Sequence, residues 1–151
     1  MRVSAKADYA VRAAVELAAA GEGPVKGEQI ATTQGISLKF LENILSEMRV
    51  AGLVSSRRGT DGGYWLARPA GEITVADVMR AVEGPLASVR GERPEELEYA
   101  GAAASLGRMW IALRTNLRAV LEVVTLEDLA SGALPPEIDG LAAEPDSWAT
   151  R

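Results

Sequence analysis

The side chains in this chain best suited to chemistry are cationic and amide groups placed where a nucleic acid could meet them. Arg57 and Arg58 stand directly before Gly59-Thr60-Asp61-Gly62-Gly63-Tyr64. That turn sequence separates two short apolar runs, so both guanidinium groups sit at a β-hairpin tip. An Arg-bearing hairpin suits the minor groove of duplex DNA, where negative potential is concentrated. The glycines also permit positive φ in a turn, and the two roles do not compete. Upstream, Lys39, Glu42, Asn43 and Ser46 gather on one side of a helical wheel, opposite Leu41, Ile44, Leu45 and Met48. Asn, Glu and Lys are residue types that read base edges in the major groove. Any amphipathic surface helix shows the same partition, so the wheel alone leaves both readings open.

Other chemistry is excluded by composition. The chain has no cysteine and no histidine. Disulfides, thiol redox chemistry, thiolate-ligated clusters and ordinary zinc sites are therefore ruled out, as is the commonest general base. The Gly59–Gly63 segment lacks the Lys-Ser/Thr of a phosphate-binding loop and follows no βαβ pattern. Glu92, Glu95, Glu96 and Glu98 form an acidic cluster without the alternating ligands and central glycine of a calcium loop. It reads as a solvated surface. No catalytic constellation and no metal site can be named, so the expectation is a protein that is not an enzyme and carries no cofactor.

The elements that must position the cationic groups follow from caps and breakers. Ser4 caps a first helix whose apolar face runs to Ala20 and which Gly21-Glu22-Gly23-Pro24 ends. A short second helix spans about Gly27 to Gln34. Gly35 turns the chain, Ile36 plugs the turn, and Ser37 caps a third helix to about Val50. Two helices about a Gly-containing turn make a helix-turn-helix pattern. Leu53–Arg57 and Tyr64–Ala67 then read as the two strands of a wing, and Pro69 stops the second. Thr74 caps a fourth helix to about Val82, and Gly84-Pro85 breaks it. The fold class is mainly α with a small β-hairpin wing, a winged helix-turn-helix domain followed by a long helix.

Beyond residue 83 the character changes. Residues 84–104 are polar and acidic and read as a linker or sensor-like loop. From Ser105 the positions Leu106, Trp110, Leu113, Leu117, Val120 and Val124 repeat at heptad spacing. This seam could pack on its own domain or pair with its counterpart across a two-fold axis. Palindromic operators and dimeric regulators go together, which favours the dimer. Thr125 caps a short helix, Leu126–Ala130, grouped with the long one as a dimerisation unit over 105–131. The Pro-containing residues 132–151 read as a flexible tail.

The net charge of −5 hides an asymmetry. Residues 1–68 carry net +2 and residues 69–151 net −7, so a DNA-facing half precedes an acidic half that points away from phosphate. No stretch is apolar enough to span a bilayer and no apolar signal region precedes the first acid, so a cytoplasmic protein is expected. Against the DNA reading stands a winged helix used only for protein–protein contact. The polar, Arg-tipped wing argues against that alternative.

The residues resemble the Rrf2 family of bacterial transcription regulators. The likeness is carried by Ser4-Ala5-Lys6-Ala7-Asp8-Tyr9-Ala10-Val11, Gly35-Ile36-Ser37-Leu38, Leu41-Glu42 and Leu53-Val54-Ser55-Ser56-Arg57-Arg58-Gly59. It continues in Gly62-Gly63-Tyr64, Val82-Glu83-Gly84-Pro85 and Thr125-Leu126-Glu127-Asp128-Leu129. The resemblance implies a homodimer on a palindromic operator, with the third helix in the major groove and the wing in the minor groove. It places Ser37, Lys39, Phe40, Glu42 and Asn43 on or near the reading helix. Arg57, Arg58, Gly59, Gly62, Gly63 and Tyr64 fall in the wing, and Arg2, Lys6 and Tyr9 near the backbone-contacting start of the first helix. Cluster-binding members carry three cysteines in the interval that here runs from Leu86 to Met109, so the chain is similar to the cluster-free, CymR-like branch. That branch implies a repressor of sulfur or cysteine metabolism, with a regulatory protein or small-molecule effector as a further partner. The bland alternative is that the 86–104 loop merely connects.

Overall fold

The computed structural model describes residues 1–151. Helix α1 (Ala5–Ala20) starts at Ser4, whose Oγ accepts from the Ala7 amide at 3.0 Å. Its buried face is Ala7, Ala10, Ala13, Ala14 and Leu17. Four alanines on one side let neighbouring helices approach closely, and α1 is accordingly the element others pack around. Helix α2 (Gly27–Gln34) ends at Gly35, which adopts the left-handed conformation at φ 64°. Ile36 is buried behind that turn, and Ser37 caps α3 (Leu38–Val50) by accepting from the Phe40 amide at 3.2 Å. Leu41, Ile44, Leu45 and Met48 are fully buried, as the wheel requires.

The wing is an antiparallel pair of β1 (Val54–Arg57) and β2 (Gly63–Leu66), in register from Val54↔Leu66 to Arg57↔Gly63. Helix α4 (Val75–Glu83) opens with a complete capping box. Thr74 accepts from the Asp77 amide while Asp77 accepts from the Thr74 amide. A loop with two 3-10 turns, at Pro94–Glu96 and Gly101–Ala103, leads into α5 (Leu106–Leu121). Two short helices follow, α6 (Leu126–Ser131) and α7 (Pro136–Ala143).

The core draws on α1, α2, α3, β1, α4 and α6, but not on α5. The short helix that the sequence grouped with the long one thus packs into the first domain. Its Leu126 is completely buried, and Thr125 and Thr74 face each other across an antiparallel bridge. The Val75 amide donates to the Val124 carbonyl at 3.0 Å and the Leu126 amide to the Ile73 carbonyl at 2.9 Å. A second capping box, Thr125 with Asp128, starts α6 as the first started α4.

Val124 therefore sits apart from the rest of its seam. Helix α5 ends at Leu121, the heptad phase ends with it, and Val124 is buried within its own chain at 6% exposure. Leu106, Trp110, Leu113, Leu117 and Val120 remain on α5, each half-covered, and no residue of this helix is buried. Residues 132–151, read as a flexible tail, carry α7 and a 3-10 turn at Pro145–Trp148, where the Trp148 indole donates to the Ala142 carbonyl at 2.5 Å. Pro136 supplies the helix start because its fixed φ suits the first turn.

Because Leu126 fills the main core, Leu126→Ala should destabilise the whole winged-helix domain by about 2–5 kcal/mol. Urea unfolding followed by circular dichroism measures it. A cost below about 1 kcal/mol, typical of a surface change, would show that α6 lies outside the cooperative core.

Candidate nucleic-acid interface

The third helix and the wing meet along one open cleft of about 470 Å³. Glu42, Ser46 and Arg49 of α3 form one wall, Arg57, Arg58 and Gly59 the other, and Tyr64 lies between. Lys39 and Asn43 occupy the neighbouring exposed strip of α3. Lys26, Glu28 and Arg49 join the cleft without having been singled out in the sequence. Arg49 had a signal, since it stands seven residues after Glu42 and so on the same helix face. Lys26 had none, because its place depends on how the wing folds back.

That folding back is enforced by backbone pairing. Val25 and Tyr64 exchange two amide–carbonyl hydrogen bonds, both 2.8 Å, so the wing is stitched to the segment before α2. Lys26 Nζ donates to the Gly59 carbonyl at 2.8 Å and ties down the tip. The close approach explains two glycines. A Cβ at Gly63, whose φ is 150°, would stand 2.6 Å from the Val25 oxygen, and one at Gly62 would stand 2.0 Å from the Arg57 oxygen. Gly62 and Gly63 thus shape the wing by having no side chain.

The two wing arginines have different duties. Arg57 Nη2 donates to the Asp61 carbonyl at 3.0 Å and so braces the turn. Arg58 is exposed at the cleft and is the cation free to meet a phosphate or a minor groove. The Tyr64 phenol titrates above its ordinary value, first because burial disfavours the phenolate and then because Glu42 is near. It remains a neutral hydroxyl able to donate a hydrogen bond at physiological pH.

The expected residues of the first helix serve differently from the cleft residues. Lys6 Nζ pairs with Glu47 at 2.8 Å and braces α1 against α3. Tyr9 packs edge-on against Phe40, with ring centroids 5.7 Å apart, while the Arg12 guanidinium covers its other side at 4.6 Å. Arg12 also donates to the Gln34 carbonyl at 2.9 Å, which satisfies an end carbonyl of α2. Tyr9, Phe40 and the Ser37 cap together set the start of α3. Arg2 lies outside the cleft and borders a groove with Glu83 and Leu117.

With this geometry the chain matches, over residues 3–132, the Rrf2 family, described as Iron-dependent Transcriptional regulator. The chain belongs to the Rrf2 family of transcription regulators. It is similar to Rv1287 of Mycobacterium tuberculosis, named as an HTH-type transcriptional regulator, with 52% identity over 94% of this chain and 89% of that one. The HTH-type transcriptional regulator CymR of Bacillus subtilis is 39% identical over 87% of this chain and 91% of its own. A solved structure of B. subtilis CymR superposes with a TM-score of 0.74 at 40% identity, covering 88% of this chain and 98% of that chain. The IscR structure from T. potens gives 0.69 at 32% identity, covering all of this chain and 93% of its own. The winged-helix, DNA-binding architecture is thereby shown. No helix is long and apolar enough to cross a membrane.

The iron in the family's description does not fit the residues of this member. A cluster needs thiolates, or imidazoles in place of some of them, and the chain contains neither. Nowhere do three carboxylates gather as an alternative metal site. Glu95, in the interval where a cluster would lie, is already hydrogen-bonded by Arg114. The protein purified without oxygen should be colourless, with less than stoichiometric iron and sulfide by metal analysis. A visible absorption band accompanied by one cluster per chain would contradict this reading.

Proposed function

We propose that the chain is a homodimeric, sequence-specific DNA-binding repressor that works without an iron–sulfur cluster. The observation that carries the reading is the single cleft joining the polar face of α3 to the Arg58 wing tip. A helix presented this way fits the major groove while the wing follows the backbone into the adjacent minor groove. Asn43 reads adenine bidentately, Glu42 accepts from cytosine or rejects other bases, and Lys39 and Arg58 anchor the backbone. The likeness to CymR, described as the global cysteine regulator of B. subtilis, supports sulfur and cysteine metabolism as the regulated pathway. Its cellular place is the cytoplasm, where the DNA is, and its activity is regulatory and not catalytic.

Dimerisation rests on α5. Leu117 and Leu121 border one apolar hollow with Met79 and Leu86, and Trp110 and Leu113 border another with Val89. Neither hollow is filled by the chain's own residues, and Met109 and Ile111 stand exposed beside them. The Trp110 indole nitrogen is shielded from solvent yet has no partner within the chain. A second copy of α5 across a two-fold axis supplies the missing apolar surface. Leu106, Trp110, Leu113, Leu117 and Val120 form the interface, and Val124 supports it from inside the protomer.

Two measurements test the reading. Sedimentation equilibrium should give a dimer at micromolar concentration, and Leu113→Glu should weaken it by on the order of a hundredfold, since an unpaired charge would enter an apolar seam. A wild-type monomer would remove the dimer. Fluorescence anisotropy on operator and scrambled duplexes should separate two kinds of contact. Arg58→Ala should weaken binding to both, most strongly at A/T-rich minor grooves. Asn43→Ala should reduce discrimination by about 1–3 kcal/mol at one base pair. Equal wild-type affinity for both duplexes would count against a specific regulator.

A further inference from the structure

The acidic half of the chain contains seven arginines and no lysine, and four of those arginines line one open cleft. Arg80 comes from the end of α4, Arg114 and Arg118 from α5, and Arg93 from the loop between them, around a space of about 470 Å³. Only Glu95 and Glu122 offset them. Glu122 accepts from both Arg80 and Arg118, and Glu95 accepts from Arg114. Arg93 stands exposed beside Glu95. Four guanidinium groups against two carboxylates leave a local positive charge inside a region of net −7. Four arginines from three separate elements thus converge on one concavity.

We propose that this cleft binds a small, multiply charged anion, a metabolite bearing phosphate or paired carboxylates. The choice of arginine fits that class, because the planar guanidinium fork matches phosphate and carboxylate oxygens bidentately. Glu95 and Glu122 occupy the forks in the chain alone and give way to the ligand's own anionic groups. Both carboxyls titrate below their ordinary value. Glu122 is held down by the Arg80 and then the Arg118 hydrogen bond, and Glu95 by its own backbone amide and then Arg114. The loop behind the cleft is held in a costly shape, with Ala87 at φ 55° and Arg90 at φ 56°, both non-glycine residues in the left-handed region. Backbone of this kind clusters at ligand clamps.

The position gives the ligand leverage. Helix α5 contributes nothing to the core and touches the rest of the chain mainly at α4 and the Pro94–Glu96 turn. An anion bridging Arg80 to Arg114 and Arg118 would set the angle between α4 and α5. In the regulator proposed above, on which this consequence rests, that angle sets the spacing of the two reading heads. A ligand that prefers one spacing shifts DNA affinity by its differential binding to the two states.

Isothermal titration calorimetry of the full chain with pyrophosphate, and separately with succinate, at constant ionic strength tests the site. A saturable isotherm of one anion per chain is expected with at least one probe. Pyrophosphate alone would assign a phosphoryl ligand, and succinate a dicarboxylate. Arg93→Gln with Arg114→Gln should raise the dissociation constant about tenfold or more. Glu95→Gln, which frees Arg114, should instead tighten binding, a gain that a merely structural ion pair would not produce. Absence of saturation with both probes overturns the proposal. So does an isotherm that survives the double arginine change but disappears with Arg57→Ala and Arg58→Ala, which would move the anion to the DNA face. The titration contains no DNA, so it stands or fails separately from the regulator reading. Operator affinity measured with and without saturating anion then checks the coupling, which the double arginine change should abolish.

Discussion

Two backbone hydrogen bonds hold the architecture together, those that clasp Ile73–Val75 to Val124–Leu126. They join the residues preceding α4 to those preceding α6, and each strand of the clasp runs directly into a Thr–Asp capping box. Residues 84–123 are thereby an excursion that leaves the core after α4 and is brought back to the same place. Leu126 then closes the hydrophobic core against α1. The long helix is returned to the winged domain just beyond its C-terminal end, although it buries none of its own residues.

The cleft between α3 and the wing is built with similar economy of contacts. Its width follows from the Val25–Tyr64 pairing, which brings the wing so near the α2 entry that only glycine fits at position 63. On the other side, α3 is set by its packed leucines, the Ser37 cap and the Tyr9–Phe40 edge contact. Several cationic residues at or near the cleft also brace this framework. Lys6 neutralises Glu47, Arg57 braces the wing turn and Lys26 holds the tip. Arg58 and the exposed strip of α3 are left to face outward.

Charge is organised on a finer scale than the two halves of the chain. The acidic half carries a concentrated arginine cleft at the α4–α5 junction. Arg80–Glu122 spans the junction, and Arg114–Glu95 ties α5 to the Pro94–Glu96 turn. Exposed ion pairs contribute little to stability and exchange partners readily.

Local physics made most of the fold legible in the sequence. Ser4, Ser37, Thr74 and Thr125 each cap the helix they precede, Gly35 turns left-handed, and the apolar wheel of α3 is buried as drawn. These features depend on residues within a turn or two of one another, so short-range spacing suffices to find them. The absence of cysteine and histidine settled the question of cluster ligands before any geometry was known. The tertiary structure decided what no spacing encodes. It returned α6 to the first domain, ended the heptad at Leu121 and turned Val124 inward, because the Ile73–Leu126 clasp is a contact between residues far apart in the chain. It sorted Arg57 from Arg58, identical side chains one position apart, by which of them reaches the Asp61 carbonyl. It also gathered Arg80, Arg93, Arg114 and Arg118, scattered over nearly forty positions, into one cleft. Such convergence is a property of the folded surface, since charge in a sequence has sign and position but no direction until the chain has closed on itself.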